Sequence, residues 1–311
     1  MILIAGATNF VGRAVARQLA AQKREIRCLV QPSQYQQQLP TELSFSTVSA
    51  SLTDLPALRT AMQDVTAVVH ATREEDHLHE RTLESHVEGT ANLLEAAQVA
   101  GVTRLIYLSR IGATAASAYP LFRIKGESEI LIHESGLDYT TLRAAVVYGP
   151  DDTFTTRLVM LAKMFPLLLP IPDVGMVRFQ PLWVDDLARC IATAIDRDDL
   201  VGRMVTVAGP EHYTIEQLIR RILEVAGMRR YLLHVTMPLM HTTSDFLGSL
   251  LARNPTPAWW LDLAAVGSAT ELGAVPKHFN FEPCQFSQCL SYLRRRRPWR
   301  RQLIHYVLGR G

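Results

Sequence analysis

Gly6-Ala7-Thr8-Asn9-Phe10-Val11-Gly12 joins a short apolar run to an amphipathic segment, a setting that suits the loop to phosphate. A helix N-terminus carries unpaired amide donors and partial positive charge. Glycines just before it permit positive backbone angles and close approach of a pyrophosphate. Gly6 and Gly12 have the outer spacing of a dinucleotide loop, and Thr8, Phe10 and Val11 complete it. Asn9 replaces the usual middle glycine; its side chain either fills space beside the pyrophosphate or donates a hydrogen bond to it. The expected cofactor is NAD(P). The second apolar run ends Leu29-Val30-Gln31-Pro32-Ser33, with no carboxylate for a ribose hydroxyl and no arginine at position 31 for a 2′-phosphate. Gln31 and Ser33 can bond to either form of the cofactor, and the absent acid favours NADP.

Other polar groupings carry less chemistry. His77, His79 and His86 lie near Glu74, Glu75 and Asp76, but no cysteine assists, so they read as a solvated loop rather than a metal site. Asp185-Asp186 opens a helical pattern, where paired carboxylates cap the helix and favour its dipole. No Ser-His-Asp arrangement with a nucleophile turn is present.

The elements that must position the loop are legible as alternation. Strand candidates are 2–5, 25–30, 44–48, 67–70, 104–109 and 139–143, separated by amphipathic segments 12–21, 55–62, 87–100 and 120–134. Ala71 follows the fourth run and Ser109 closes the fifth. Gly101 stops the third helix. This order predicts an α/β fold with a doubly wound parallel sheet. After Arg143 the alternation loosens. Val146-Val147-Tyr148-Gly149-Pro150 leaves the sheet, followed by an apolar stretch 158–172, a run 179–184 and a helix from 185 to about 195. A run 204–208 precedes a helix 215–226, N-capped by Thr214 with Gln217 three residues on. Residues 231–280 have no clean period, and 281–293 form the last structured piece. The apolar 158–172 stretch and Trp259-Trp260-Leu261 suit either a smaller lobe's core or a cleft or partner face.

The bulk properties narrow the class. The 311 residues are 48% hydrophobic and 20% charged, with a net charge of +2, too small to predict a specific nucleic-acid partner. Cys28 and Cys190 sit in apolar patterns as small buried hydrophobes, and with Cys284 and Cys289 they make no disulfide framework. A reducing, cytoplasmic setting is expected. Met1 stands directly before the first strand, leaving no room for a signal peptide. The 158–172 run is broken by Lys163, Pro166 and Pro170 and is too short to span a bilayer. The protein is expected to be soluble or peripheral at a membrane.

These pieces, in this order, resemble the extended and atypical short-chain dehydrogenase/reductases, Rossmann proteins that include NAD-dependent epimerases and dehydratases. The matching segments are Gly6–Gly12, Leu52-Thr53-Asp54, Val87-Glu88-Gly89-Thr90-Ala91-Asn92 and Tyr107-Leu108-Ser109. Further matches are Lys125-Gly126-Glu127, Leu142-Arg143, Val147-Tyr148-Gly149-Pro150 and Gln180 to Ala188. Asn254-Pro255-Thr256-Pro257, with the closing Phe281-Glu282-Pro283 and Leu290-Ser291-Tyr292-Leu293, is similar to the subfamily of the NAD(P)H-binding accessory subunit of respiratory complex I. Related photosystem assembly factors share the fold. The resemblance implies cofactor contacts at Gly6, Thr8, Asn9, Phe10, Val11, Gly12, Gln31, Ser51, Leu52, Ala71, Ser109 and Lys125.

The departures bear on chemistry. Active members use a Ser or Thr after strand five and a Tyr-x-x-x-Lys, in which the tyrosine moves a proton and the lysine lowers its pKa and holds the nicotinamide ribose. Here Lys125 is present, but Leu121 stands four residues before it, and Arg110 aligns with the serine. Ser51 replaces an acid that faces adenine, and His86 replaces an asparagine. Tyr119, before Pro120, lies six residues from Lys125 on another helix face. No catalytic residue is assigned. The reading is an NAD(P)-binding, non-catalytic protein with a structural, assembly or regulatory role in a membrane-associated redox complex. The alternatives are an active reductase, epimerase or dehydratase using Tyr119 or a substrate group, and a cofactor-free interaction module.

Three regions are expected: a dinucleotide-binding domain over 1–150 with later returns to the sheet, a smaller α/β lobe over 151–293, and a basic arm over 294–311. The arm's Arg294–Arg297, Arg300 and Arg301, with Trp299 and the apolar Leu303–Leu308, suit a protein complex or an anionic membrane surface.

Overall fold

The computed structural model describes residues 1–31, 45–72, 80–250 and 258–294. The chain opens with β1 (Ile2–Ala5), α1 (Phe10–Ala21), β2 (Ile26–Val30), β3 (Ser46–Ser49), α2 (Leu55–Ala61) and β4 (Ala67–His70). It continues through α3 (Glu80–Val99), β5 (Arg104–Arg110), α4 (Pro120–Glu134) and β6 (Asp138–Ala144). Next come β7 (Val147–Tyr148), α5 (Thr155–Met164), β8 (Leu168–Pro172), β9 (Arg178–Phe179) and β10 (Leu182–Trp183). These are followed by α6 (Val184–Ile195), β11 (Arg203–Val207), β12 (Tyr213–Thr214), α7 (Ile215–Val225) and β13 (Tyr231–Val235). The last elements are α8 (Met237–Leu250), α9 (Ala258–Val266), α10 (Ala274–Phe279), α11 (Phe286–Cys289) and a 3-10 turn over Leu290–Arg294.

Two compact units are interleaved along the sequence. The first takes Met1–Ala144, Val184–Val207 and Ala274–Phe281; the second takes Ala145–Trp183, Ala208–Gly273 and Glu282–Gly311. The first unit is built on a seven-stranded sheet in the order β11-β6-β5-β4-β1-β2-β3, with every pairing parallel. Central strands of such a sheet are covered on both faces, so they read as unbroken apolar runs. Accordingly Leu3, Ile4, Val68, Val69, Leu105 and Ile106 are all fully buried. Strand order reverses between β1 and β4, the position where doubly wound sheets open a crevice at their carboxyl ends.

Local chemistry sets the helix ends. Asn9 caps α1, and Asp54 caps α2 by accepting the Ala57 N–H at 3.1 Å. Gly101, at φ +71°, closes α3 in the left-handed conformation that favours glycine. Pro120 occupies the first position of α4, where a missing N–H costs nothing. Asp185 and Asp186 fall in the first turn of α6 and complement its dipole. Cys28 and Cys190 are buried, and burial pushes both thiols up, Cys28 to about 12.

At the amino end of β5, Arg104 is 7% exposed and anchors the strand to its neighbours. Its guanidinium donates to the carbonyls of Asp138 (2.7 Å) and Ala194 (2.8 Å) and to the Thr140 hydroxyl (2.5 Å). Burial lowers its pKa, against the pull of Asp138 and Asp198.

The second unit holds three two-stranded pieces: β7–β10 and β8–β13, both parallel, and the antiparallel β9–β12. Its α7 begins with the expected capping box, Gln217 N–H to Thr214 Oγ1 at 3.2 Å and Thr214 N–H to Gln217 Oε1 at 2.8 Å. The buried Asp152 accepts from Gly149 N–H, the Thr155 hydroxyl and Thr156 N–H, and Tyr292 binds Thr155 at 2.7 Å. Residues 231–280, without a period in sequence, contain β13, α8, α9 and α10. Where the sequence suggested no disulfide framework, Cys284 and Cys289 are joined by one disulfide: the start of α11 brings their Cα atoms to 6.6 Å. The segment Asn254–Pro257 and the arm beyond Arg294 lie outside the described residues, as do Pro32, Ser33, His77 and His79.

Replacing Arg104 by Met leaves the carbonyls it serves without a donor. The expected loss is about 2–4 kcal/mol of stability, read from the midpoint of urea unfolding against the unaltered protein.

Candidate functional site

The carboxyl end of β1 turns into α1 through a tightly folded loop. Gly6 has φ +92°, and a methyl there would press on the Ala71 carbonyl. A methyl on Gly12 would overlap the Gly6 carbonyl oxygen. Both glycines are therefore required by the backbone itself, because α1 packs against the loop that precedes it.

Asn9 has φ −77°, so it needs no left-handed tolerance. Its amide turns inward. Oδ1 accepts the Gly12 N–H at 2.7 Å, and Nδ2 donates to the Ala71 carbonyl at 2.5 Å. The amide staples the β1–α1 loop to the end of β4. The staple takes up one helix N-terminal donor. The Phe10 and Val11 N–H groups have no acceptor among the described residues, as befits the first amides of a helix.

A cation also reaches this loop. Arg13, in the second turn of α1, donates from Nη1 to the Thr8 carbonyl at 2.6 Å. The sequence reading had passed over it. Its signal was its place just past the helix start, since helical side chains slope toward the N-terminus. Two helix-start amides, a helix dipole and this guanidinium suit a dianionic pyrophosphate.

Other predicted contacts line the carboxyl edge. Thr8 is buried at 6% exposure, and Gln31 is exposed past β2. Ser51 Oγ lies 2.9 Å from Thr53 Oγ1. Leu52 is buried and touches α3: a methyl on Gly89 would press on its Cβ, and Asn92 Nδ2 donates to its carbonyl at 3.0 Å. Ala71 extends the ladder, its N–H donating to Ala5 at 2.9 Å.

Around β5 and α4 the site is polar but internally committed. Ser109 is buried and its hydroxyl donates to Glu129 Oε1 at 2.5 Å. Arg143 grips the same carboxylate from Nε at 2.9 Å and Nη2 at 2.5 Å, and also reaches the Ala113 carbonyl at 3.1 Å. The carboxylate's hydrogen bond and charge hold the Arg143 pKa up. Lys125 is 5% exposed; Nζ donates to the Leu108 carbonyl at 3.0 Å and lies 5.0 Å from the Tyr107 ring centroid. Leu121 is 0% exposed, a core position of α4. Tyr119 serves as the N-cap of that helix, its ring edge-on to Phe122 at 6.3 Å.

His70, fully buried at the end of β4, was not singled out from the sequence. Nε2 lies 3.0 Å from the Thr90 hydroxyl and Nδ1 3.3 Å from that of Thr72. Burial, then the nearby Lys125 and His86 charges, lower its pKa to about 3, so the ring stays neutral.

Comparison with known proteins follows the same lines. A model of the NAD(P)H-binding family matches residues 6–165. The photosystem II assembly factor Ycf39 of Guillardia theta is 21% identical over 94% of this chain and 92% of its own length. Mitochondrial NADH dehydrogenase [ubiquinone] 1 alpha subcomplex subunit 9 of Rattus norvegicus is 24% identical, over 82% of this chain and 67% of that protein. Among solved structures, the Escherichia coli NADPH-dependent quinone oxidoreductase QOR2, complexed with NADPH, superposes with a TM-score of 0.73 at 20% identity. That match covers 94% of this chain and 99% of the other, and it establishes likeness of fold.

Two outcomes follow from the geometry. Asn9→Ala breaks both ends of the staple and is expected to cost about 1–2 kcal/mol in unfolding measurements. For His70 the folded pKa of about 3 lies below the unfolded 6.5. Protonation therefore favours the unfolded chain, and this contribution to stability is present above the unfolded value and lost as pH falls toward the folded one. A His70→Gln variant should show a flatter decline in unfolding midpoint between about pH 7 and about pH 4 than the parent.

Proposed function

Because the chain belongs to the NAD(P)H-binding family, with the fold of an atypical short-chain dehydrogenase/reductase, we propose that it keeps the cofactor as a bound structural element. In this reading NADP is preferred and no substrate is turned over. The observation that carries the non-catalytic reading is Leu121. The position four residues before Lys125 is a fully buried part of the α4 core, with no hydroxyl to exchange a proton. Ser109 supports it, since its hydroxyl is spent on Glu129.

The cofactor supplies hydride chemistry in proteins that turn over substrate. Here the residues that fit it do binding work: the Phe10 and Val11 amides and Arg13 suit the pyrophosphate, and Gly6 and Gly12 let it approach. The missing acid after β2 favours a phosphorylated ribose over a free one.

The role is assembly or stabilisation of a membrane-associated redox complex. The relatives' names support it: one is a photosystem II assembly factor and one a subunit of mitochondrial NADH dehydrogenase. Attachment to a protein complex or an anionic membrane would run through the basic arm over 294–311, which has seven arginines and no acidic residue. No described helix is long and apolar enough to cross a membrane.

The decisive measurement is the absorbance and mass spectrum of the purified protein. A nicotinamide dinucleotide phosphate is expected to co-purify or to bind on addition, with no hydride transfer to a panel of carbonyls, quinones and nucleotide-sugars. Steady turnover of any panel member would overturn the non-catalytic reading. Arg13→Ala should weaken NADPH binding about tenfold, the scale of one charge-assisted hydrogen bond. Titration of nicotinamide fluorescence checks this value.

A further inference from the structure

In the second unit, β8 and β13 form a two-stranded parallel ribbon with Leu168 opposite Tyr231, Pro170 opposite Leu233 and Pro172 opposite Val235. Paired residues point to the same face, so the register sorts the ribbon into two sides. One side is core along β8, with Leu169 2% exposed and Ile171 1%, although His234 opposite Ile171 is exposed; on the other side Pro172 is buried, so the outward exposure lies at the start of the ribbon. A ribbon covered on one face ordinarily turns polar residues to the other. Here the outward side is apolar as well. Leu168 is 50% exposed, Tyr231 72% and Leu233 51%, and the adjoining Leu167 is 64% exposed. The Tyr231 N–H donates to the Leu167 carbonyl at 3.0 Å, which carries the backbone pairing one residue beyond β8. The same run of chain continues into α8, where Leu239 and Phe246, two turns apart, are also exposed.

Four large apolar side chains held outward by backbone pairing are costly in water unless something covers them. The charges beside them indicate what does. Arg229 is exposed two residues before Tyr231, while Arg230 turns its Nε to the Ala162 carbonyl at 2.8 Å. The acids lie toward the other end of the ribbon: Asp173 is exposed just after β8, and Glu216 binds His234 Nε2 at 3.1 Å. Elsewhere in the same unit Arg294 begins the run Arg294–Arg297, and no acidic residue follows Glu282 in the chain. Exposed leucines with an amphipathic tyrosine, bordered by Arg229 at the end where they cluster, match the layered chemistry of a lipid interface: acyl chains, then glycerol and carbonyl groups, then anionic phosphates.

We propose that the outward face of the β8–β13 ribbon is a membrane-docking face, which inserts Leu168, Tyr231 and Leu233 into the interfacial layer of an anionic bilayer. This deepens the peripheral role proposed above by assigning insertion to the folded unit, and it leaves the arginine-rich arm to supply long-range attraction. Salt would then weaken the arm's contribution and spare that of the ribbon.

The test uses the full chain and flotation with vesicles of phosphatidylcholine, with and without phosphatidylglycerol. Wild-type protein is expected to float with the anionic vesicles. A Leu168→Ser/Leu233→Ser variant should partition about tenfold less at fixed salt, the scale set by keeping two half-exposed leucines in water, with unchanged circular dichroism and thermal midpoint. Because that double change touches the ribbon, Tyr231→Trp gives a second readout. The fluorescence it adds over wild type should be quenched by brominated phosphatidylcholine. Absence of flotation, equal flotation of the double variant, or unquenched added fluorescence would each overturn the proposal; the last two would point to a protein as the covering partner. Cofactor titration of the same preparations tests the NAD(P) reading separately, since the loop residues lie in the other unit.

Discussion

The first unit depends on how closely α1 can approach the end of β1 and β4. Gly6 and Gly12 lack the atoms that would hold the backbones apart, and Asn9 ties the three pieces together through Gly12 N–H and the Ala71 carbonyl. The staple sits at the reversal of strand order, where the sheet opens. It fixes where the α1 dipole points and which helix amides are left without an acceptor. It also changes what the motif means. A glycine pair of this spacing is forced by packing whether or not a phosphate is present, so the glycines alone carry little information about ligand. The amide donors of Phe10 and Val11, and the guanidinium of Arg13, carry more.

Much of the first unit was legible because its strands are buried on both faces. Residues 2–5, 67–69 and 105–108 read as unbroken apolar runs, and such runs survive without knowledge of their neighbours. Gly101 and the Thr214–Gln217 box were legible for a related reason: each acts on backbone within a few residues of itself. What was not legible acts at a distance in sequence. Asn9 reaches residue 71, Ser109 reaches 129, and Arg104 reaches 194. No local pattern announces those partners. The segment 231–280 hid its elements because β13 presents apolar residues on both faces and α9 is apolar nearly all round, which erases the period that marks an amphipathic element.

The polar groups at the β5 and α4 end show how a site can keep its residue types while their bonds turn inward. Glu129 is buried and compensated by Arg143, and Ser109 completes its coordination. An isolated buried carboxylate would be far more costly than this bidentate pair. The ammonium of Lys125 is held by a backbone carbonyl and an aromatic face, and it helps keep His70 neutral next door. These contacts stabilise the carboxyl ends of three adjacent strands. They also mean that a proton cannot leave Ser109 without disturbing an ion pair.

Leu121 brings these threads together. In a catalytic member its position must project a hydroxyl toward a reacting oxygen, which requires the helix face there to be open. In this chain the same face is closed: Leu121, Phe122 and Ile124 are all buried in α4. A methyl on Gly126 would overlap the backbone of Thr114 and Ala115, so the loop after β5 lies tight against the helix. Restoring a tyrosine at position 121 would therefore force a phenol into close-packed core rather than rebuild a proton path. Leu121 is thus part of the packing around the helix, while the loop at β1 is shaped by its own glycines.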